Sequence, residues 1–422
     1  MTPYVDLSYF LLLLCPLLAL VVLGLLGLLR RPVVLGASLA IVVFQYGDPT
    51  GEARSLSQLS FLAAYVAGSI AVVLAYAAIR RRGAHGRAFT AAIVLVLAPL
   101  VATKVYPLAR GLLHLSTAHV APDFAPDPPG APSTTLGFFD PVGFLGISYM
   151  TLRVIDLLVV LHDGVVMETP RAADVASYLL FVPTISAGPI DRFRHFTQAL
   201  DALPRPRRDY LRDIEAGIHR VMQGLLYKFI IANLLFRNAL VPLAARAGFL
   251  ATMGYMYAFS LYLFFDFAGY SAFAIGVGRF FGIGVPENFN APFASRNFRE
   301  VWNRWHISLS WWLRDHVYMR FMLHAARRKW FGGSRERAHH TALLLTMGLM
   351  GCWHGLELPY LVYGLYQGAM LVAYDVAGRW SERRGLALDA AWVRPASVFL
   401  TVNLFCFGLL IFSGRLFQAA AR

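Results

Sequence analysis

The chain has 422 residues, of which 58% are hydrophobic and 15% are charged. Soluble domains contain about 25% charged residues, so this composition excludes an ordinary soluble protein. The formal charge of +14 comes from basic residues in short loops between apolar runs, where they set membrane topology, and we expect no nucleic-acid binding. Apolar windows recur along the whole length. We predict an all-α polytopic protein in the lipid bilayer, with about 10 to 12 crossings plus re-entrant or interfacial helices.

Arginine clusters orient the first spans of the chain. Arg30 and Arg31 follow the first predicted span, and Arg80–Arg82 follow the third. Cytoplasmic loops carry an excess of basic residues, so we expect both loops in the cytoplasm. The acidic loop 47–54 and the Pro-rich loop 121–133 then lie outside. This arrangement predicts a multi-pass protein of the cytoplasmic membrane with an extracytoplasmic N-terminus.

Apolar pieces interrupted by proline and glycine follow. The stretch 175–190 contains Pro183 and ends at Gly188-Pro189, which is typical of a broken or re-entrant helix. The basic stretch 192–212 is expected in the cytoplasm, and 208–220 is expected to form a surface helix. Further spans are predicted, in chain order, at 221–236, 247–265, 267–278, 305–323, 341–356, 358–374 and 395–414.

The pattern contains no internal repeat and no soluble segment of domain size. We predict a single integral membrane domain over residues 1–422. It consists of N-terminal helices (1–135), a core (136–375) that contains the motifs of the candidate catalytic residues, and a C-terminal helix region (376–422).

A dense polar motif, Trp302-Asn303-Arg304-Trp305-His306, lies in an otherwise apolar region. Ionisable groups at membrane depth are costly and usually face a cavity or a pathway, which makes His306 a functional candidate. Asn303 lies three residues before His306, so a helix would place both on one face. The alternative interpretation is an interfacial belt of tryptophans anchored by arginines.

Charged residues surround this motif. Arg299, Arg304 and Arg314 are expected to form a positive collar that receives an anionic group such as a phosphate. Asp266 lies between two apolar runs. We expect it to orient a catalytic group or to pair with an arginine.

A second histidine, His354, lies in the uncharged run Gly351-Cys352-Trp353-His354-Gly355. Thirteen residues of helix from Thr341 rise about 20 Å, against a hydrocarbon core of about 30 Å, so His354 should lie well inside the bilayer. Gly355 and Pro359 favour a helix end at this point. A neutral imidazole here can accept a proton, as general-base catalysis requires. The alternative is a structural histidine bonded to a backbone carbonyl.

Several common cofactor signatures are absent from the sequence. It contains no Walker loop, no dinucleotide fingerprint and no Cys/His spacing of a metal site. We therefore expect neither a metal nor a permanently bound cofactor. A transporter whose histidines relay protons is the alternative from another functional class.

Together, six motifs resemble the membrane-bound O-acyltransferase (MBOAT) family, most densely between residues 136 and 375. They are Gly188-Pro189-Ile190-Asp191-Arg192-Phe193, Phe265–Ser271, Pro286–Asn290, Trp302–Ser310, Arg314-Asp315 and Trp353-His354-Gly355. The resemblance implies a multi-helix ring around a thin central partition pierced by a tunnel. It also implies that His354 matches the principal active-site histidine and His306 a second functional position. The side chains expected to line the tunnel or to contact substrate are Trp302, Asn303, Arg304, Trp305, Asp266, Arg314 and Trp353.

Within the family, the branch that transfers D-alanyl groups looks most similar, through Arg314–Phe321, Gly355–Glu357 and Tyr363–Gly368. This resemblance implies that the donor is D-alanine, held as a phosphopantetheine thioester on an acidic acyl-carrier protein in the cytoplasm. It implies an acceptor outside, teichoic acid or another envelope polymer, reached with the help of a membrane-anchored extracytoplasmic partner protein. Cytoplasmic arginines would suit the acidic carrier.

Two positions depart from the family pattern. Cys352 stands where a bulkier apolar residue is expected, and Gln367 replaces the histidine expected in Tyr-Gly-x-x-His. The second departure leaves the acceptor side or the exact donor open. The alternative within the family is an O-acetyltransferase that acts on an exopolysaccharide or on peptidoglycan.

Overall fold

The computed structural model describes residues 7–46, 53–83, 86–112, 146–385 and 393–420. These residues are helical apart from connecting segments and one isolated antiparallel bridge, which confirms the all-α prediction. Most of the two loops expected outside, 47–54 and 121–133, lies beyond the described residues. The described residues divide into two compact units, one made of those that fall within 1–16, 31–186 and 192–197 and the other of the rest.

The helices before residue 205 are shorter on average than those that follow. They are α1 (Leu7–Leu25), α2 (Arg31–Tyr46), α3 (Ala53–Arg81), α4 (Gly86–Leu112), α5 (Ile147–His162), α6 (Ala172–Leu179) and α7 (Phe193–Asp201). The short α6, followed by a single turn at Val182–Thr184, confirms the broken helix predicted for 175–190.

Further helices follow after residue 205 in the described part of the chain. They are α8 (Arg207–Ala244), α9 (Phe249–Phe280), α10 (Phe298–Arg304), α11 (Ile307–Leu313), α12 (Met319–Arg327), α13 (Arg335–His354), α14 (Leu358–Arg383), α15 (Arg394–Phe412) and α16 (Arg415–Ala420). A wide helical turn at Arg314–Tyr318 joins α11 to α12.

Among the described residues, five helices are long and apolar enough to cross a membrane. They are Gln58–Arg81 in α3, Gly86–Tyr106 in α4, α8, α9 and α15. This finding agrees with a multi-pass membrane protein. The predicted total of 10 to 12 crossings and the predicted orientation stay predictions.

Two of the predicted boundaries are wrong. The surface helix expected at 208–220 and the span expected at 221–236 form one helix, α8, because no proline or glycine pair separates them. Wide helical turns at Leu226–Ala232 and Phe236–Leu240 keep α8 continuous. The two spans expected to meet at Asp266 also form one helix, α9. The Asp266 carboxylate pairs with Lys228 of α8.

In the first unit, a buried arginine supports the broken helix. Arg153 of α5 donates to the backbone carbonyls of Tyr178 and Leu179 at 2.7 and 3.2 Å, at the C-terminal end of α6. The last carbonyls of a helix have no partner within it, so the guanidinium supplies the donors that α6 itself lacks. Asp156, one turn along α5, pairs with Arg192 at 2.5 Å.

Candidate active site

His306 lies in a turn between two helices. Helix α10 ends at Arg304, Trp305 is extended, and His306 begins α11 in the left-handed conformation with φ 46°. This conformation is uncommon for residues other than glycine and costs free energy, so the surrounding structure must hold it. The expectation that Asn303 and His306 share a helical face is wrong, because the helix breaks between them, and the Asn303 side chain is exposed.

Asn288 holds this turn from the other side. Its backbone carbonyl accepts from the amide of Ile307 at 2.9 Å. Its side-chain oxygen accepts from the hydroxyl of Ser308 at 2.6 Å. Asn288 is 0% exposed, and its amide nitrogen donates to Ser271 of α9 at 3.2 Å. The side chain therefore ties α9 to the start of α11.

Sequence reasoning assigned no role to Asn288, although it quoted the motif Pro286–Asn290 that contains it. In the sequence, Asn288 stands between Glu287 and Phe289 in a polar, irregular segment, and such a segment looks like an ordinary loop. Only its complete burial distinguishes it.

The Gly188-Pro189 turn also supports His306. The backbone amide of Ile190 donates to the hydroxyl of Ser308 at 3.0 Å, and the amide of Ala187 donates to the hydroxyl of Tyr270 at 3.2 Å. Two motifs far apart in sequence, around residues 188 and 306, therefore meet at one serine.

His354 ends its helix as predicted. Helix α13 finishes at His354, and Gly355 is extended. Four aromatic rings surround the imidazole, with centroid distances of 4.8 Å to Trp353, 5.1 Å to Phe412, 6.3 Å to Tyr363 and 6.4 Å to Tyr360. The residue is partly exposed as a whole.

Trp353 connects the two histidines. Its ring lies 6.3 Å from that of His306 and 4.8 Å from that of His354. Phe267 of α9 packs edge-on against His306 at 4.8 Å. His306 is 4% exposed, in contrast to half-buried His354. The structure thus brings together the two histidines that sequence reasoning singled out, one partly exposed and one buried.

The tryptophans of the polar motif are buried in protein. Trp305 packs against the rings of Phe264, Phe289, Phe293 and Phe405. Trp302 is buried as well, and its indole nitrogen has no hydrogen-bond partner within the described part of the chain. An interfacial belt would expose these rings, so the belt interpretation is wrong.

Two of the charged residues predicted for the site form ion pairs with other side chains. Arg314 pairs with its neighbour Asp315 at 2.9 Å, and both are largely exposed. Asp266 pairs with Lys228 instead of an arginine. The side chain of Arg304 is half-exposed. These contacts do not join Arg299, Arg304 and Arg314 to one another, so the positive collar stays a prediction.

Arg299, the remaining member of the collar, lies near a different cluster. This cluster centres on Asp375 of α14, whose carboxylate lies 2.6 Å from Arg379 and 2.9 Å from His340 of α13. The Arg299 guanidinium approaches the same carboxylate at 3.9 Å. The cluster joins the start of α13 to the end of α14, at the opposite end of α13 from His354.

Burial and charge act on two groups of this cluster. Burial lowers the pKa of His339 below its ordinary 6.5, although the nearby Asp375 carboxylate acts in the other direction. Burial raises the pKa of Asp375, but its hydrogen bond with His340 and the positive charge of Arg379 outweigh this effect and hold the pKa below 3.8. At neutral pH the cluster therefore contains an ionised carboxylate and a neutral His339.

Glycines bring α13 and α14 into direct contact. A Cβ on Gly351 would collide with the carbonyl oxygen of Tyr360, and a Cβ on Gly364 would lie 2.5 Å from that of Met347. Small residues allow the close approach of helices in membrane proteins. Because Gly351 lies one turn before His354, this contact sets the position of the imidazole against Tyr360.

In the described residues, no group of three or more His, Cys, Asp or Glu side chains could hold a metal ion. What the site does offer is acid–base chemistry. An imidazole at a helix end can take and return a proton, and a second, enclosed imidazole beside it can donate a hydrogen bond. The fold is that of a multi-pass membrane protein, and the two neighbouring histidines are its candidate catalytic residues.

Comparison with known proteins agrees with this class. The sequence model of the MBOAT, membrane-bound O-acyltransferase family matches residues 50–414. The chain belongs to this family and is an acyltransferase, so the transporter alternative is set aside. It is 34% identical over 420 residues to the teichoic acid D-alanyltransferase of Bacillus subtilis, covering 99% of both chains.

Two further relatives indicate how widely this similarity extends. The chain is 35% identical to the teichoic acid D-alanyltransferase of Streptococcus thermophilus, covering 85% of this chain and 83% of that one. It is also 32% identical to the probable alginate O-acetylase of Azotobacter vinelandii, covering 66% of this chain and 52% of that one.

We expect Gly351→Ala to reduce acyl transfer by about tenfold or more, because a displacement of about 1 Å in an active site can cost a hundredfold in rate. Gly348→Ala is the matched control, since a Cβ there meets only a Leu365 methyl at 3.9 Å. Transfer is measured in membranes and normalised to protein level. Equal activity of the two variants would contradict the role of this helix contact.

A second prediction concerns acid sensitivity. The pKa of His339 is lower in the folded chain than its ordinary value of 6.5. Below pH 6.5 the unfolded chain therefore binds a proton at this histidine more readily than the folded chain does, so the free energy of unfolding decreases as the pH falls. The apparent melting temperature in detergent should fall between pH 7.5 and pH 5.5. We expect this fall to be smaller in His339→Gln than in wild type. His324→Gln, at an exposed histidine of α12, should keep the wild-type fall. An unchanged fall in the His339 variant would refute the prediction.

Proposed function

We propose that this acyltransferase moves D-alanyl groups from a carrier-protein thioester to a hydroxyl group of an envelope polymer such as teichoic acid. The observation that carries the proposal is the similarity to teichoic acid D-alanyltransferases along 99% of the chain. The pairing of His354 with His306 through Trp353 supports it.

His354 is the proposed general base. The imidazole of this partly exposed residue accepts the proton of the acceptor hydroxyl, and the oxygen attacks the thioester carbonyl carbon. The tetrahedral intermediate then breaks its carbon–sulfur bond, and the departing thiolate takes the proton from the His354 imidazolium. An ester forms and a thiol is released, so atoms and charge balance without a nucleotide.

His306 has the proposed role of positioning the donor or stabilising the negative charge on its carbonyl oxygen. Enclosure favours this role, because a hydrogen bond from a fixed group is stronger where water is excluded. The backbone turn held by Asn288 fixes the imidazole in place. The proposal gives Asn303 no part in this role, because its exposed side chain lies on α10 and His306 lies in the turn after that helix.

The donor is proposed to arrive from the cytoplasm. The proposal assigns the arginine-bearing end of α13 and α14, with Arg335, Arg337, Arg379 and Arg383, to the cytoplasmic side. An acidic acyl-carrier protein would be attracted to this surface and would deliver its phosphopantetheine arm as part of the substrate. The N-terminus and the polymer would then lie outside, where a membrane-anchored partner protein assists transfer.

A second candidate function is O-acetylation of a polysaccharide. The similarity to probable alginate O-acetylases, over about two thirds of this chain, favours it. It keeps the histidine chemistry and changes the acyl group.

We expect His354→Ala to reduce transfer by about a hundredfold or more, the range that general acid–base catalysis contributes. His306→Ala should also reduce it. His324→Ala is the matched control because His324 is exposed on α12 and should retain wild-type transfer. Labelled acyl groups on envelope polymer are counted at equal protein levels. Full transfer by the His354 variant would remove this residue from catalysis.

The acyl group itself is tested with two donors. Membranes that contain the protein receive carrier protein loaded with labelled D-alanine or, separately, a labelled acetyl donor. We expect label on the polymer from D-alanine only, and none when His354→Ala membranes are used. Label from acetyl alone would replace this proposal with the O-acetylation candidate.

A further inference from the structure

Gln367 is an unsatisfied buried amide. Its side chain in α14 is 0% exposed, and neither its oxygen nor its nitrogen has a hydrogen-bond partner in the described part of the chain. Buried polar groups are almost always paired, so an unpaired amide in a native site requires an explanation such as an absent ligand. A primary amide leaves both acceptor and donor capacity unused.

The position of Gln367 connects it to the caged histidine. Tyr363 lies one turn before it on the same face of α14, and the ring of Tyr363 contacts His354 at 6.3 Å. On the opposing helix α15, Gly408 faces the Gln367 amide so closely that a Cβ would collide with its nitrogen. Phe412, four residues after Gly408, contacts His354 at 5.1 Å. Gln367 is therefore displaced by about one helical turn, roughly 6 Å, from the aromatic layer around His354.

Gln367 is displaced from the aromatic layer toward the C-terminal end of α14. Moving from Tyr363 to Gln367 follows α14 away from His354 and toward its end at Arg383. This is the end at which the proposed function places the donor. An arm that reaches His354 from there passes the level of Gln367 before its acyl group reaches the imidazole.

The chemistry of the donor arm matches this amide. In a pantetheine thioester, two methylene groups separate the sulfur from the nearest secondary amide, which offers one N–H and one carbonyl oxygen. A side-chain amide can accept from the first and donate to the second. A thioester carbon beside His354 would bring that secondary amide toward the level of Gln367.

We propose that Gln367 is a positioning residue that hydrogen-bonds a secondary amide of the donor arm and so places the thioester carbon against His354. This inference rests on the proposed function, because it requires an arm-borne thioester. Gln367 would be the group that recognises the arm. It occupies the position at which the family pattern has a histidine.

The test compares two arms and three proteins. The carrier protein is loaded with D-alanine on phosphopantetheine, or on an analogue whose amide nearest the sulfur is replaced by methylene groups. Wild type, Gln367→Met and Thr346→Val each receive both donors. Methionine keeps the length of the side chain and removes its hydrogen bonds. The buried hydroxyl of Thr346 donates to the backbone carbonyl of Ala342 in its own helix. Thr346→Val is therefore a matched control, because it also removes a buried polar group.

We expect wild type and Thr346→Val to prefer the native arm by about five- to tenfold in kcat/KM, the value of about one net hydrogen bond. Gln367→Met should lose this preference, mainly through a higher KM for the native arm, and should equal wild type on the analogue. A preference that persists in Gln367→Met overturns the inference. So does an equal loss on both arms, because that result assigns Gln367 to packing or to the acceptor.

The same experiment separates this inference from the proposed function. If wild type transfers no D-alanine from the native arm, the proposed function fails. If wild type transfers it but shows no preference between the two arms, the proposed function stands and the role of Gln367 is overturned.

Discussion

Irregular backbone in a largely apolar protein must find its hydrogen-bond partners within the protein. Asn288 meets this constraint for the turn that carries His306, and Arg153 meets it for the end of α6. In both places one buried polar side chain bonds to backbone groups. The side-chain oxygen of Asn288 accepts from the amide of Ser308, and Arg153 donates to the carbonyls of Tyr178 and Leu179. The left-handed conformation of His306 depends on this support. Unsatisfied buried groups are therefore informative in this molecule, and Gln367 is the clearest instance.

The two histidines differ in environment more than in chemistry. His354 is a partly exposed residue at the end of a helix, whereas His306 is buried and contacts Phe267 and Trp353. Proton exchange with an incoming substrate needs access, and electrostatic stabilisation benefits from the exclusion of water. The contrast in burial thus favours different roles for two identical side chains. Glycine contacts between α13 and α14 fix the partly exposed one.

The family relationship explains why these histidines leave the acyl group undetermined. Relatives named for D-alanyl transfer and for O-acetylation are both similar to this chain. General-base chemistry on a hydroxyl serves either acyl group equally well, so selectivity must come from contacts along the donor and acceptor paths. Gln367 lies beside the first of these paths in the proposed arrangement, one turn from the caged histidine.

The sequence by itself determined the all-α class, the family, the end of α13 at His354 and the two candidate histidines. These features follow from hydropathy, from local helix-ending signals and from motifs that are contiguous in the chain. Only the tertiary structure decided that α8 and α9 are continuous, that the helix carrying Asn303 ends before His306, and that Asp266 pairs with Lys228. It alone also showed the burial of Asn288 and Gln367. Pairing and burial depend on residues distant in the chain, and no local pattern encodes which of them meet.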